Sequence, residues 1–247
     1  MSGHSKWSTI KHKKAAADAK RGKAFTRAIR EITMAAREGG GDADGNARLR
    51  SAIIAAKECN MPSDNITRAI KKGTGELEGA QLEEVTYEGY APGGVAVFIE
   101  TVTDNKNRTL PEIRHIFAKH GGNIAASNAV AWMFEKKGYL VVDSTALPEE
   151  RLLEIVLEAG ADDMRQDGSN QEIFTSPEAF PVVKEALESK GVPIAASEVA
   201  MTPKNTVRAE GQTARKVLKL IEALEEHDDV QHVWANFDID ESEMEAS

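Results

Sequence analysis

The hydrophobic period of this chain changes once, across a Gly/Glu-rich stretch at residues 74–84, and that change governs what the chain can fold into. Before it, apolar side chains recur at helical spacing. After it, short alternating runs punctuated by Gly and Pro take over. At about 100° per residue, Phe25, Ala28, Ile29, Ile32 and Ala36 share one arc of a helix over Lys23–Glu38. Lys20, Lys23, Arg27, Arg30 and Arg37 share the opposite arc, and Gly39-Gly40-Gly41 ends the helix. A second helix is predicted from about Asn46 to Cys59 on Leu49, Ala52, Ile53 and Ala56. Asn60-Met61-Pro62 breaks it, and Ser63 or Asp64 caps a third that stops at Gly73. Residues 1–22 carry no apolar stripe and read as a loose basic arm.

Beyond the change of period, Glu84–Tyr90 and Val95–Thr103 read as strands joined through the turn Ala91-Pro92-Gly93-Gly94. Thr109-Leu110-Pro111-Glu112 has the form of a capping box opening a helix to His120, and Val130–Phe134 is the next strand expected. A β-α-β-β-α-β run follows: strands Tyr139–Asp143, Asp162–Gln166, Glu172–Thr175 and Ile194–Met201, with helices Pro148–Ala159 and Pro177–Lys190. A strand near Thr206–Ala209, a helix Thr213–Glu226 and a strand Val230–Phe237 then supply what the first β-α-β half lacks. The expected fold class is α+β: an N-terminal three-helix domain followed by two ferredoxin-like α/β domains, one inserted into the other. The expected boundaries are 1–78 for the helical domain, 79–135 with 204–240 for the split domain, 136–203 for the insertion, and 241–247 for a disordered acidic tail.

Charge follows the same division. The net charge of −9 conceals 16 Lys/Arg against 7 Asp/Glu in residues 1–75, and 15 against 33 in the remainder. Residues 1–30 alone hold 9 basic side chains and one acid, Asp18. A basic arm on an acidic body is the pattern of a polyanion-binding protein. The longest apolar runs, Val95–Ile99 and Ala129–Phe134, fall far short of the roughly 20 residues of a spanning helix. The polar N-terminus has no secretory h-region, and a single cysteine, Cys59, excludes an intramolecular disulfide. A cytoplasmic protein without membrane contact is expected.

The constellations that carry chemistry are missing from the sequence. His115 and His120 are five apart, which does not place them on one helix face as a metal pair. Asp42-Ala43-Asp44-Gly45 imitates the start of a calcium loop but lacks the third acidic position. There is no GxxxxGK[ST] and no GxSxG elbow. No catalytic residue, metal, cofactor or small-molecule substrate is expected. Two polar clusters remain. One is the arm, with Lys6, Trp7, Lys11, His12, Lys13, Lys14, Lys20, Arg21 and Lys23, where Trp7 either stacks on a base or packs on the helical domain. The other is Asp104-Asn105-Lys106-Asn107-Arg108, whose Lys106 and Arg108 stand at a helix start and suit an anion, unless the loop closes its own turn.

Five stretches, in order, resemble the YebC family: Gly3-His4-Ser5-Lys6-Trp7, Asp18–Lys23, Asn60-Met61-Pro62, Tyr87–Gly94 and Asp104–Thr109. The resemblance spans nearly the whole chain. Bacterial members are labelled probable transcriptional regulators, and a mitochondrial relative is a translational activator of cytochrome oxidase. The resemblance implies a helical first domain and two α/β domains, DNA binding in some members, and ribosome association with relief of stalling at proline runs in others. It brings no catalytic residues. One departure is visible: the usual Gly-Ser-Val step is Ser127-Asn128-Ala129-Val130 here, where Asn128 can supply a left-handed bend.

The reading that results is a non-enzymatic nucleic-acid-binding regulator of gene expression. Lys23, Arg27, Arg30 and Arg37 are expected to face solvent and meet phosphates. DNA and rRNA or tRNA are both admissible partners, ribosomal proteins suit the acidic body, and a protein-interaction adaptor, whose basic arm binds an acidic protein or folds back on its own acidic body, is the rival from another class.

Overall fold

The computed structural model describes residues 17–79 and 81–245, without the side chains of 17–21, 167, 241 and 245. Three helices come first: α1 (Ala17–Gly39), α2 (Ala47–Glu58) and α3 (Ser63–Gly73). Ile32, Leu49, Ala56, Met61, Ile66 and Ala69 form their core, and small contact residues let the helices approach closely. A Cβ on Gly73 would lie 2.4 Å from the Thr33 carbonyl oxygen, so the end of α3 presses directly on α1. Asn46 joins the other pair. Its carboxamide accepts from Leu49 N at the start of α2 and donates to Ala35 O and Gly40 O at the end of α1, at 2.7–3.0 Å.

Two antiparallel four-stranded sheets follow. In the first, β1 (Glu83–Ala91) and β2 (Val95–Thr103) form a hairpin, flanked by β3 (Asn123–Ile124) and by β9 (Val230–Ala235), in the order β3-β1-β2-β9. One face, with Tyr87, Val97, Ile99 and Val233, is covered by α4 (Lys106–Lys119) through Ile113 and Phe117, and by α7 (Gly211–Glu225) through Val217, Leu220, Ile221 and Leu224. The second sheet uses β4 (Phe134–Asp143), β5 (Asp163–Asp167), β6 (Asn170–Thr175) and β7 (Ile194–Pro203) in the order β5-β6-β4-β7, the ferredoxin-like arrangement. Helices α5 (Glu149–Glu158) and α6 (Phe180–Ser189) cover its Leu140, Val142 and Ile173. The sheets meet where Phe98 and Trp234 of the first pack with Phe134 and Ala200 of the second. A short parallel pair, β8 (Val207–Arg208) with β10 (Phe237–Asp238), and a terminal helix, α8 (Glu241–Glu245), complete the chain.

Four expectations need correction. Helix α1 begins at Ala17, inside the stretch read as an arm. Helix α4 begins at Lys106 rather than Thr109, because the Asn105 side chain accepts from Asn107 N and Arg108 N and takes the capping role, leaving Pro111 inside the helix. Val130–Phe134 is not a strand: the buried Glu88 carboxylate accepts from the backbone of Asn128, Val130 and Ala131 at 2.6–2.9 Å, so these amides cannot enter a ladder. The acidic tail is helical over Glu241–Glu245, held by the fully buried Met244.

Candidate nucleic-acid interface

Lys6, Trp7, Lys11, His12, Lys13 and Lys14 lie outside the described residues, while Lys20 and Arg21 are described only as backbone of α1. Of the remaining cations of α1, Lys23, Arg27 and Arg30 are half-buried and Arg37 is exposed, and each donates to backbone carbonyls. Lys23 donates to Glu226 O, Arg27 to Glu225 O, Arg30 to Val102 O and Asp228 O, and Arg37 to Leu82 O. Two of these acceptors, Glu225 O and Glu226 O, lie at the last turn of α7. Carbonyls there have no partner within their own helix and form the negative end of its dipole. Lys23 and Arg27 cap α7 from outside, and the expectation of a side projecting into water is corrected for these two and for Arg30. Burial pulls the Arg27 guanidinium pKa down against the opposing charges of Glu225 and Asp228.

The centre of this seam is Asp229, only 1% exposed. Arg30 lies 2.9 Å from one carboxylate oxygen; Arg108 Nη2 and the Thr109 hydroxyl lie 2.7 Å from the other, with the Thr103 hydroxyl at 3.1 Å. Burial alone would push this carboxyl up, but Thr109, Arg108, Arg30 and Thr103 together hold it down at about 2. Arg108 also contacts Asp104, and Lys106 pairs with Glu83 at 2.7 Å. The loop that suited a free anion is therefore occupied by the protein's own carboxylates. It closes its own turn through Asn105, the second of the two readings its composition allows.

Beside Asp229 an open cleft of about 520 Å³ runs along Arg30, Arg108, Glu112 and His227. Ligand atoms of Glu112, His227 and Asp229 lie within 4.8 Å of one another, the spacing of a metal-binding trio. The residues do not fit that role. His227 Nδ1 accepts from Asp229 N at 3.1 Å, which leaves Nε2 protonated and donating to Glu112 at 2.9 Å. Two guanidinium groups already neutralise Asp229, so a cation would meet no free imidazole lone pair and two positive neighbours.

The other cations of the helical domain fall into two groups. Arg48 binds Glu31, Glu38 and Glu84, an arrangement that raises its pKa chiefly through the Glu31 hydrogen bond, and Arg50 donates to Ala43 O and Asp44 O. Lys57, Arg68, Lys71 and Lys72 are exposed and make no hydrogen bond or ion pair among the described residues. Arg68, Lys71 and Lys72 lie three and four apart on α3, across from the buried Ile66 and Ala69. The sequence reading passed over them, although the same helical projection that grouped the α1 cations would have found them.

Two further residues escaped the sequence. Trp132 is 63% exposed, with its indole N–H donating to Ala129 O at 3.0 Å. The loop that presents it is fixed by Glu88 and by the left-handed Asn128, at φ 65°. No local pattern marks Glu88, one of several acids near β1, as the anchor.

Comparison with known proteins agrees with this architecture. The model of the TACO1/YebC N-terminal domain matches residues 5–76, and that of the TACO1/YebC second and third domains matches residues 82–237. Among curated relatives, a "probable transcriptional regulatory protein" of Syntrophus aciditrophicus is 58% identical over 99% of this chain and 98% of its own length. One of Solibacter usitatus, bearing the same name, is 58% identical over 100% and 99%. A crystal structure of a conserved hypothetical protein from Aquifex aeolicus superposes with a TM-score of 0.82 at 55% identity, covering 94% of this chain and 96% of that one. The chain belongs to the TACO1/YebC family.

Proposed function

We propose that this chain is a non-enzymatic regulator of gene expression that acts by binding nucleic acid through its helical domain. The observation that carries the reading is the charge division: 16 Lys/Arg against 7 Asp/Glu in residues 1–75, joined to an acidic remainder. Relatives named as probable transcriptional regulatory proteins support a regulatory role. No helix among the described residues is long and apolar enough to cross a membrane. Crosslinking in cells followed by sequencing of the bound nucleic acid tests the proposal, and enrichment of promoter DNA is the expected result. A second reading, a translation factor on rRNA or tRNA, is favoured by one observation. Residues 76–247 hold 33 acids against 15 cations, a body that repels a duplex laid along it but complements basic ribosomal proteins. Dominant ribosomal and transfer RNA fragments in the same experiment would select it. Recovery of no nucleic acid would leave the adaptor as the surviving alternative.

A further inference from the structure

We propose that the phosphate-contacting surface of the helical domain is the outer side of α3, formed by Arg68, Lys71 and Lys72, and that the basic side of α1 is instead the clamp that holds this domain on the split domain. The inference rests on the nucleic-acid reading above and names its surface.

A phosphate recruits a cation at low cost only if that cation has no partner to give up. Lys23, Arg27 and Arg30 have such partners: the carbonyls of Glu226, Glu225, Val102 and Asp228, and for Arg30 the buried Asp229 carboxylate. Offering them to a polyanion means separating the domains, uncapping α7 and leaving Asp229 short of one cation. The α3 cations carry no such penalty. They are exposed, they make no hydrogen bond or ion pair among the described residues, and their spacing places neighbouring Cβ atoms about 5–6 Å apart on one side of a helix.

The packing also holds this side outward. Ile66 and Ala69 are buried, and Gly73 touches the Thr33 carbonyl oxygen and the Ala36 Cβ, so α3 cannot rotate its cations inward. The contacts with Thr33 and Ala36 lie on a different arc of α1 from Lys23, Arg27 and Arg30, so docking of the clamp leaves the α3 cations uncovered. The acid on the same side is Asp64, in the first turn, against three cations in the turns that follow. Their position near the helix C-terminus also suits the helix dipole, but that effect falls off within a turn and does not require a run of three.

Binding of the full chain to a short duplex DNA and to a stem-loop RNA, each over a salt series, tests the proposal. The open-side variant Arg68→Gln/Lys71→Gln/Lys72→Gln should lower the slope of log K against log salt by about two to three on the nucleic acid that binds, with an unchanged melting temperature. The charge-preserving Lys71→Arg/Lys72→Arg should keep the slope. The clamp variant Lys23→Gln/Arg27→Gln should keep the slope and melt at lower temperature. A wild-type slope in the open-side variant, or a slope lost in the clamp variant, would overturn this assignment while the nucleic-acid reading stands. A wild-type chain without salt-dependent binding to either probe would remove both. The probe with the steeper slope identifies DNA or RNA as the source of the phosphates.

Discussion

The Arg30 guanidinium lies 2.9 Å from the Asp229 carboxylate across the seam between α1 and the layer of the first sheet, and Arg108 reaches the same carboxylate at 2.7 Å. Four segments meet at this one side chain: α1, the end of β2, the start of α4, and the turn before β9. A carboxylate taken out of water is costly unless it is paired and hydrogen-bonded, and Asp229 has two guanidinium groups and two hydroxyls at its oxygens. The contact thus ties the docking of one domain to the integrity of another.

Removing that carboxylate should be expensive. Asp229→Ala takes the carboxylate from Arg30 at the seam and from the Thr103 and Thr109 hydroxyls, although Arg30 keeps its carbonyl partners and Thr109 keeps Asn105 O. Arg108 is 43% exposed and can turn to water, so the loss should fall below the about 3–5 kcal/mol of a fully buried pair, at about 2–3 kcal/mol. Lys106→Ala breaks a pair whose members are both more than half exposed and should leave the unfolding midpoint unchanged. Urea unfolding of both variants measures the contrast. Equal midpoints would mean that Asp229 is not the fastening point of the seam.

The same carboxylate should contribute to acid sensitivity. Its pKa is held at about 2 in the folded chain against an ordinary 3.8, because the hydrogen bonds and guanidinium charges around it outweigh its burial. A depressed acid pKa adds stability that is complete above the unfolded value and is lost as pH falls through the folded one. The window therefore runs from about pH 4 to about pH 2, and the contribution lost is roughly 2 kcal/mol. Wild type should lose that much more than Asp229→Asn over this window when unfolding is followed by circular dichroism. Parallel curves for the two proteins would contradict the assignment.

The helices of the first domain and the ferredoxin-like run of the second sheet are legible in the sequence because one period governs each of them. Ile32, Leu49 and Ile66 sit where helical spacing puts them, and Leu140 and Ile173 lie within the short strand runs expected at Tyr139–Asp143 and Glu172–Thr175. The direction of the α1 cations is not legible. Amphipathicity says which side of a helix avoids water, not whether the other side meets solvent or a turn 198 residues further along the chain. The loop at 123–133 fails for a related reason. Its apolar Val130–Phe134 run looks like a strand, and only the cross-chain carboxylate of Glu88 diverts the amides. Arg68, Lys71 and Lys72 are legible by the same helical spacing, three and four apart on α3.

That loop offers its own test. Asn128 adopts φ 65°, a left-handed conformation that glycine tolerates and a β-branched residue does not. Asn128→Val should cost about 1–2 kcal/mol, while Asn128→Gly should be close to neutral. Glu88→Ala deprives three backbone amides of their acceptor and should cost about 2–3 kcal/mol. Amide hydrogen exchange at 128–131 should accelerate in Glu88→Ala ahead of the β1–β2 hairpin. Exchange that accelerates equally across both would mean that Glu88 stabilises the sheet rather than anchoring the loop.

The C-terminal segment should matter more than its acidity suggests. Met244 is fully buried in the core beneath the first sheet, with Val217, Leu218 and Phe237 in the same cluster. In addition, the Glu243 carboxylate accepts from Gly211 N at the start of α7, 2.9 Å away, where negative charge complements the helix dipole. A chain ending at Asp240 loses both features. Burial of a methionine side chain is worth about 1.5–3 kcal/mol, so truncation should lower stability by that order. Met244→Leu, which retains apolar volume, should cost less than about 1.5 kcal/mol, and Met244→Ser should approach the truncation. Thermal melts of the three variants separate packing from charge. If the truncated chain melts with wild type while Met244→Ser does not, the terminal helix is dispensable and the serine merely disturbs its neighbours.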